Sequence, residues 1–143
     1  SGILALSARA LGFQLIRGFD NDPDAIQVCH DHLKHNPTLA PIDFTVDDLI
    51  SGLPEGSIDF LMANIQTNIL IPFAEPIIKS LRASAHLILS GILTKEIEEL
   101  KLHYTEKLNC LRPRATIIMD SREKGEWSDL KIEIIACESE KII

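Results

Sequence analysis

The 143-residue chain predicts an α/β fold: a mostly parallel sheet with helices on both faces and an antiparallel pair of strands at its end. Three observations carry that expectation. Short apolar runs alternate with helical patterns along most of the chain. The last two runs are joined by a short connection, which suits an antiparallel pair and not a parallel one. Gly2 heads the first helix, and Asp20 closes an apolar run eighteen residues later. A glycine turn before a helix, then a strand ending in an acid, is the nucleotide-binding half of a Rossmann-like sheet.

Residues 3–11 read as the first helix, with Ile3, Leu4, Leu6, Ala8, Ala10 and Leu11 apolar and Gly12 as the stop. Residues 15–19 form a short strand that ends at Asp20. Asp22 suits the cap of a second helix. Pro23 suits its first position, where a missing N–H costs nothing. Ala25, Ile26, Cys29 and Leu33 make its apolar stripe, and Asn36-Pro37 ends it. Residues 42–46 are a strand, and 47–57 a loop containing Gly52, Pro54 and Gly56.

Residues 58–63 are nearly all apolar, as buried parallel strands are, with Asn64 at the end. Residues 69–81 are helical, with Pro72 and Pro76 disturbing the first half. Residues 85–89 form a strand ending at Ser90-Gly91. Thr94 is expected to cap a polar helix running through Lys107, with Glu96, Glu98 and Glu99 where the helix dipole favours acids. Residues 115–119 and 130–137 are the closing strands, with the turn glycine Gly125 between them. The stretch Ser-Gly-Ile-Leu occurs at 1–4 and again at 90–93, as two strand-to-helix turns.

With 45% hydrophobic and 24% charged residues, the chain has enough apolar content for a core and is an ordinary globular type. A net charge of −7 argues against non-specific nucleic-acid binding, which needs Lys and Arg to neutralise phosphates. It suits either a basic partner or plain solubility. Cys29, Cys110 and Cys137 share no CxxC spacing and are expected to be reduced, partly buried thiols of a cytosolic protein. No apolar run nears the ~18 residues of a membrane helix. The start at Ser1, with no initiator or leader before the first helix, is expected to mark a fragment or a truncated reading frame.

Four places could carry chemistry. Asp20, at a strand end, offers two oxygens to a vicinal diol, and equally suits the turn Asp20-Asn21-Asp22-Pro23. Gly2 could be a ligand-loop glycine or an ordinary helix cap. Asp47-Asp48 could accept from an exocyclic amine or form a solvated acidic loop. Asn64, beyond the fourth strand, could accept a hydrogen bond from a substrate amine or simply begin a turn. His30, His32 and His35 do not share a helix face, so a metal reading is rejected.

The stretches Ser1-Gly2-Ile3-Leu4-Ala5-Leu6, Gly18-Phe19-Asp20-Asn21-Asp22-Pro23-Asp24-Ala25, Ile58-Asp59-Phe60-Leu61-Met62-Ala63-Asn64-Ile65, Leu87-Ile88-Leu89-Ser90-Gly91-Ile92-Leu93 and Gly125-Glu126-Trp127 together resemble the PrmA-type methyltransferases. Those enzymes act on protein eleven of the large ribosomal subunit. The resemblance implies a class I methyltransferase sheet, with S-adenosylmethionine as cofactor and lysine and N-terminal amines as acceptors. It also implies a ribosomal protein as partner, no direct nucleic acid, no membrane, and a cytoplasmic location. On this resemblance Gly2 matches the last glycine of the cofactor loop, and Asp20 the ribose carboxylate. Asn21 lies beside the adenine, and Asp48 falls near the adenine amine. Asn64 faces the transferable methyl and the substrate amine.

The chain departs from the family at Gln66, where an aliphatic residue is usual, and at Asn21, where Ile is usual. The acidic-x-Gly-x-Gly half of the cofactor loop and its strand do not precede Gly2, nor does an N-terminal recognition domain. The first, central strand is therefore expected to be missing from the sheet, leaving two apolar edges. The 143 residues are read as a single catalytic domain, incomplete at its N-terminus and inactive alone. Two other readings compete: a non-catalytic remnant kept for binding, and a dinucleotide oxidoreductase. The second shares Asp20 but leaves Ala63-Asn64-Ile65 and Gly125-Glu126-Trp127 unexplained.

Overall fold

In the computed structural model, which describes residues 1–137, the strands fall into two sheets. Each lies in its own compact unit, the first spanning Ser1–Gly52 and the second beginning at Leu53.

The first unit contains α1 (Ile3–Ala10), β1 (Arg17–Asp20), α2 (Pro23–His35), a 3-10 turn (Pro37–Leu39) and β2 (Asp43–Val46). β1 and β2 pair in parallel, with Asp20 opposite Val46. Leu6, Ile26, Cys29, Ile42 and Phe44 form the core, with Ala5, Ile16, Leu33 and Leu39 packed on it. The α2 start is as expected: the Asp22 side chain accepts the Asp24 N–H at 2.9 Å and Pro23 takes the first helical position. β1 is shorter than expected. Leu15 has φ 53° and is fully exposed, and a left-handed residue cannot sit in an extended strand.

The second unit contains β3 (Ile58–Asn64), α3 (Thr67–Leu70), α4 (Ala74–Ser80), β4 (Leu81–Leu93), a 3-10 turn (Thr94–Glu96), α5 (Ile97–Leu111), β5 (Thr116–Lys124) and β6 (Trp127–Ile135). The sheet order is β3-β4-β6-β5. β3 runs parallel to β4, and β6 is antiparallel to both of its neighbours. Leu87, Leu89, Ile92, Leu130 and Ile132 are fully buried from the sheet, as are Ile77, Ile78, Leu100, Tyr104 and Leu108 from the helices. Among the described residues β1 has a strand partner only in β2, and β3 only in β4.

Several boundaries differ from the sequence expectation. The helix expected over 69–81 is two helices, with Pro72 in the turn between them and Pro76 in the first turn of α4, where its missing N–H is harmless. β4 starts at Leu81, directly after α4, and runs through Gly91 to Leu93. So Ser90-Gly91 is a bulge inside a strand, whereas Ser1-Gly2 opens a helix. Thr94 caps no helix; its hydroxyl donates to the Gly125 carbonyl at 3.3 Å. The closing strands are longer than expected because Gly125 (φ 64°) and Glu126 make a two-residue hairpin turn. Cys29 is buried, but Cys110 and Cys137 are exposed, which corrects the expectation for those two thiols. Among the described residues no helix is long and apolar enough to cross a membrane.

Candidate functional site

In the first unit, parallel pairing brings Asp20 and Asp47 to the same end of the sheet, where the Asp47 N–H donates to the Asp20 carbonyl at 3.0 Å. Asp20 is exposed. Its Oδ1 accepts the Asp22 N–H at 3.1 Å, which makes the turn expected for Asp-Asn-Asp-Pro. Its Oδ2 has no partner among the described residues. Asn21 follows, exposed, in that turn.

Asp47 and Asp48 close the loop after β2. Arg17 Nη2 donates to Asp47 Oδ2 at 2.7 Å, and the Ser51 hydroxyl bonds Asp47 Oδ1. Asp48 Oδ1 accepts three hydrogen bonds, from Ile50 N and Ser51 N at 2.8 Å and Ser51 Oγ at 2.9 Å. Hydrogen bonding from Ser51 is the largest cause holding both carboxyls below the usual range. For Asp47 it comes from the hydroxyl, and for Asp48 from the backbone N–H. Gly52 completes this loop. A methyl there would meet the Asp48 carbonyl at 2.5 Å and the Phe19 ring at 2.9 Å. The sequence placed a loop here but not its internal hydrogen bonds, for which Asp48 followed three residues on by Ser51, and then Gly52, was the available signal.

Gly2 has φ 71°, and a methyl on it would lie 3.0 Å from Phe44 Cζ and 3.1 Å from Cys29 Sγ. Its bare face is turned to the core of the unit. His32 Nδ1 bonds the Ser1 carbonyl at 2.8 Å and His35 Nδ1 the Asp31 carbonyl at 2.7 Å. Among the described residues no three His, Cys, Asp or Glu side chains are grouped to hold a metal ion.

In the second unit, three of the recognised stretches meet at one end of the sheet. Asn64 closes β3 opposite Ser90 on β4. Leu93, three residues further, lies opposite Trp127 on β6. Thr94 ties the hairpin down: its N–H donates to the Glu126 carbonyl at 2.9 Å, and the Ser128 hydroxyl lies 3.1 Å from its own. Trp127 is 56% exposed at this rim. The Asn64 side chain is exposed and has no hydrogen-bond partner among the described residues. Its Oδ1 stands over Gly91, where a methyl would come within 2.6 Å. Sequence reasoning also missed Thr67, whose buried hydroxyl has no hydrogen-bond partner among the described residues.

The chain has the class I methyltransferase fold. A ribosomal protein L11 methylase from Lactobacillus delbrueckii subsp. bulgaricus superposes with a TM-score of 0.79 at 22% identity, over 94% of this chain and 65% of that one. The family model described as "Ribosomal protein L11 methyltransferase (PrmA)" matches residues 1–133, and the chain belongs to that family. A relative of that name from Vibrio campbellii is 37% identical over 129 residues, and one from Desulforapulum autotrophicum 29% identical over 136. Those matches cover 89% and 94% of this chain but only 40% and 42% of the relatives.

Proposed function

We propose that this chain carries the cofactor-binding and amine-orienting residues of a cytoplasmic protein N-methyltransferase, using S-adenosylmethionine to methylate lysine and N-terminal amines of ribosomal protein L11. Family membership supports the reaction class and the protein substrate. One observation carries the chemical reading. Asn64 stands exposed at the carboxyl end of a parallel strand, with its hydrogen-bonding capacity unspent. Ligands of open α/β sheets bind beyond the carboxyl ends of the strands.

The fit to the cofactor can be tested on Asp20. One carboxylate oxygen is held by the turn, which fixes the group, and the other remains available as an acceptor for ribose hydroxyls. Asn21 lies next to it for the adenine side. Asp48 has only Oδ2 left to offer, because Oδ1 already takes three hydrogen bonds. Gly2 acts through the shape of the α1 start. When bound, S-adenosylmethionine supplies a methyl group already activated by its sulfonium.

The chain's own residues then need to align a neutral amine and exclude water. Asn64 accepts an N–H of the incoming amine through its carboxamide oxygen, which turns the nitrogen lone pair toward the line of attack. A lysine must first lose its proton, and desolvation at the site lowers its pKa in that direction. No strong general base is required.

Cofactor affinity is measured by calorimetry on the native protein, and methyl transfer to ribosomal protein L11 by mass spectrometry. Asn64→Ala is expected to lower kcat by about 10²-fold, the usual cost of misorientation, with an unchanged cofactor Kd. Asp20→Ala is expected to raise that Kd about tenfold or more through loss of charge-assisted hydrogen bonds. Equal loss of turnover and affinity in Asn64→Ala, or loss of neither, removes Asn64 from this role. An unchanged Kd removes Asp20. A folded native protein that transfers no methyl would favour the non-catalytic reading.

A further inference from the structure

We propose that Gly91 is a positioning residue, whose missing side chain leaves the space in which the Asn64 carboxamide stands to meet the substrate amine. This rests on the amine-orienting reading of Asn64 and extends it to a residue on the neighbouring strand.

The geometry is specific. Asn64 and Ser90 are register partners, so Gly91 is the next residue on β4 beyond the end of β3. The pairing of β4 with β6 shifts register between Leu89 and Ile92, which puts Gly91 inside a bulge. The bulge gives Gly91 φ 78°, a conformation side chains avoid. It also turns the face where a side chain would stand toward Asn64. A methyl there would lie 2.6 Å from Asn64 Oδ1, well inside contact distance, and 3.5 Å from Ile65 N and O. The Ile65 contacts are tolerable, so the carboxamide is what would have to move.

Two other glycines of the unit separate this demand from the backbone demand. Gly56 (φ 62°) and Gly125 (φ 64°) also take left-handed conformations, but a methyl on either would meet nothing within 4 Å. They need glycine for the backbone alone. Gly91 needs it for the backbone and for the space above it. Among the described residues Asn64 makes no side-chain hydrogen bond, so the open space over Gly91 bounds where the amide can sit.

The test compares Gly91→Ala with Gly56→Ala in the native protein, each also combined with Asn64→Ala. Both single changes carry the left-handed backbone cost, so Gly56→Ala measures that cost without a clash. The group displaced in Gly91→Ala is the free end of an exposed side chain, so its shift is cheap, and the readouts are the position of the amide and turnover. The Asn64 side-chain amide resonances should move in Gly91→Ala and stay in Gly56→Ala. In turnover, Gly91→Ala should cost about as much kcat as Asn64→Ala, about 10²-fold, with cofactor Kd unchanged, and the double variant should be no worse than Asn64→Ala alone.

Unmoved Asn64 resonances in Gly91→Ala would overturn the proposal. So would additive losses of kcat. If Asn64→Ala leaves kcat intact, the amine-orienting reading and the catalytic part of this proposal fail together. The resonance data then decide the packing role separately.

Discussion

Gly2 and Gly91 sit in the same four-residue stretch, Ser-Gly-Ile-Leu, and share a left-handed backbone, with φ 71° and 78°. Their surroundings differ. Gly2 turns its bare face to Phe44 and Cys29 inside a core, and Gly91 turns its own to an exposed carboxamide. Gly2→Ala should therefore be a stability change. A left-handed alanine costs about 1–2 kcal/mol, to which the tight approach to Phe44 adds. Urea unfolding followed by signals of the first unit should show that loss; a loss no larger than the backbone cost would mean that the Phe44 and Cys29 side chains yield freely, and an unchanged midpoint would sink both contributions. The repeated stretch was legible in the sequence. What each glycine faces was not, because Cys29, Phe44 and Asn64 reach these positions only through the fold. Asp48 shows the same limit: spacing left both a ligand and a loop reading open, and the structure fills one of its oxygens with loop hydrogen bonds.

At the scale of elements, α5 was legible as a polar helix with acids in its first turn, and the structure shows that it buries Ile97, Leu100, Tyr104 and Leu108. Its length was not, since the helix continues past Lys107 to Leu111. Two contacts explain how it holds its neighbours. The Tyr104 hydroxyl, buried, donates to the Leu70 carbonyl of α3 at 3.0 Å. Burial pushes that phenol well above its ordinary range, so it stays a donor at any working pH. Arg112, just past α5, donates from Nη2 to the carbonyls of Ile78 at 3.1 Å and Leu81 at 2.6 Å, closing the end of α4. Tyr104→Phe keeps the ring but strands the Leu70 carbonyl. It should cost about 1 kcal/mol, read as a lower urea midpoint with the same slope. No change in midpoint would mean that another donor takes over the carbonyl. The prolines marked an irregular first half in the helix expected over 69–81 but not its division into α3 and α4, and the early start of β4 at Leu81 depends on its pairing with Ile58.

At the scale of the whole molecule, the described strands form two sheets in two units of unequal core. The first unit rests on a core cluster of five buried residues around a two-stranded sheet. The second has a four-stranded sheet with fully buried residues on β4 and β6. Small cores bury a smaller fraction of their surface and open more easily. Amides of β1 and β2 should therefore exchange at least about tenfold faster than those of β4 and β6 in hydrogen-exchange mass spectrometry. Equal protection would show that the units open together. The sequence by itself determined the alternation of elements, the family, and the residue types at the strand ends, because periodicity and short motifs are local properties of the chain. Only the tertiary structure decided that Asp20 keeps one oxygen available, that Asp48 is largely spent on its loop, and that Gly91 makes room for Asn64. The approach of Gly91 to Asn64 depends on atoms brought together across strands, of which local spacing holds no record. The Asp20 and Asp48 bonds are local turns whose geometry is fixed only once the flanking strands are in place.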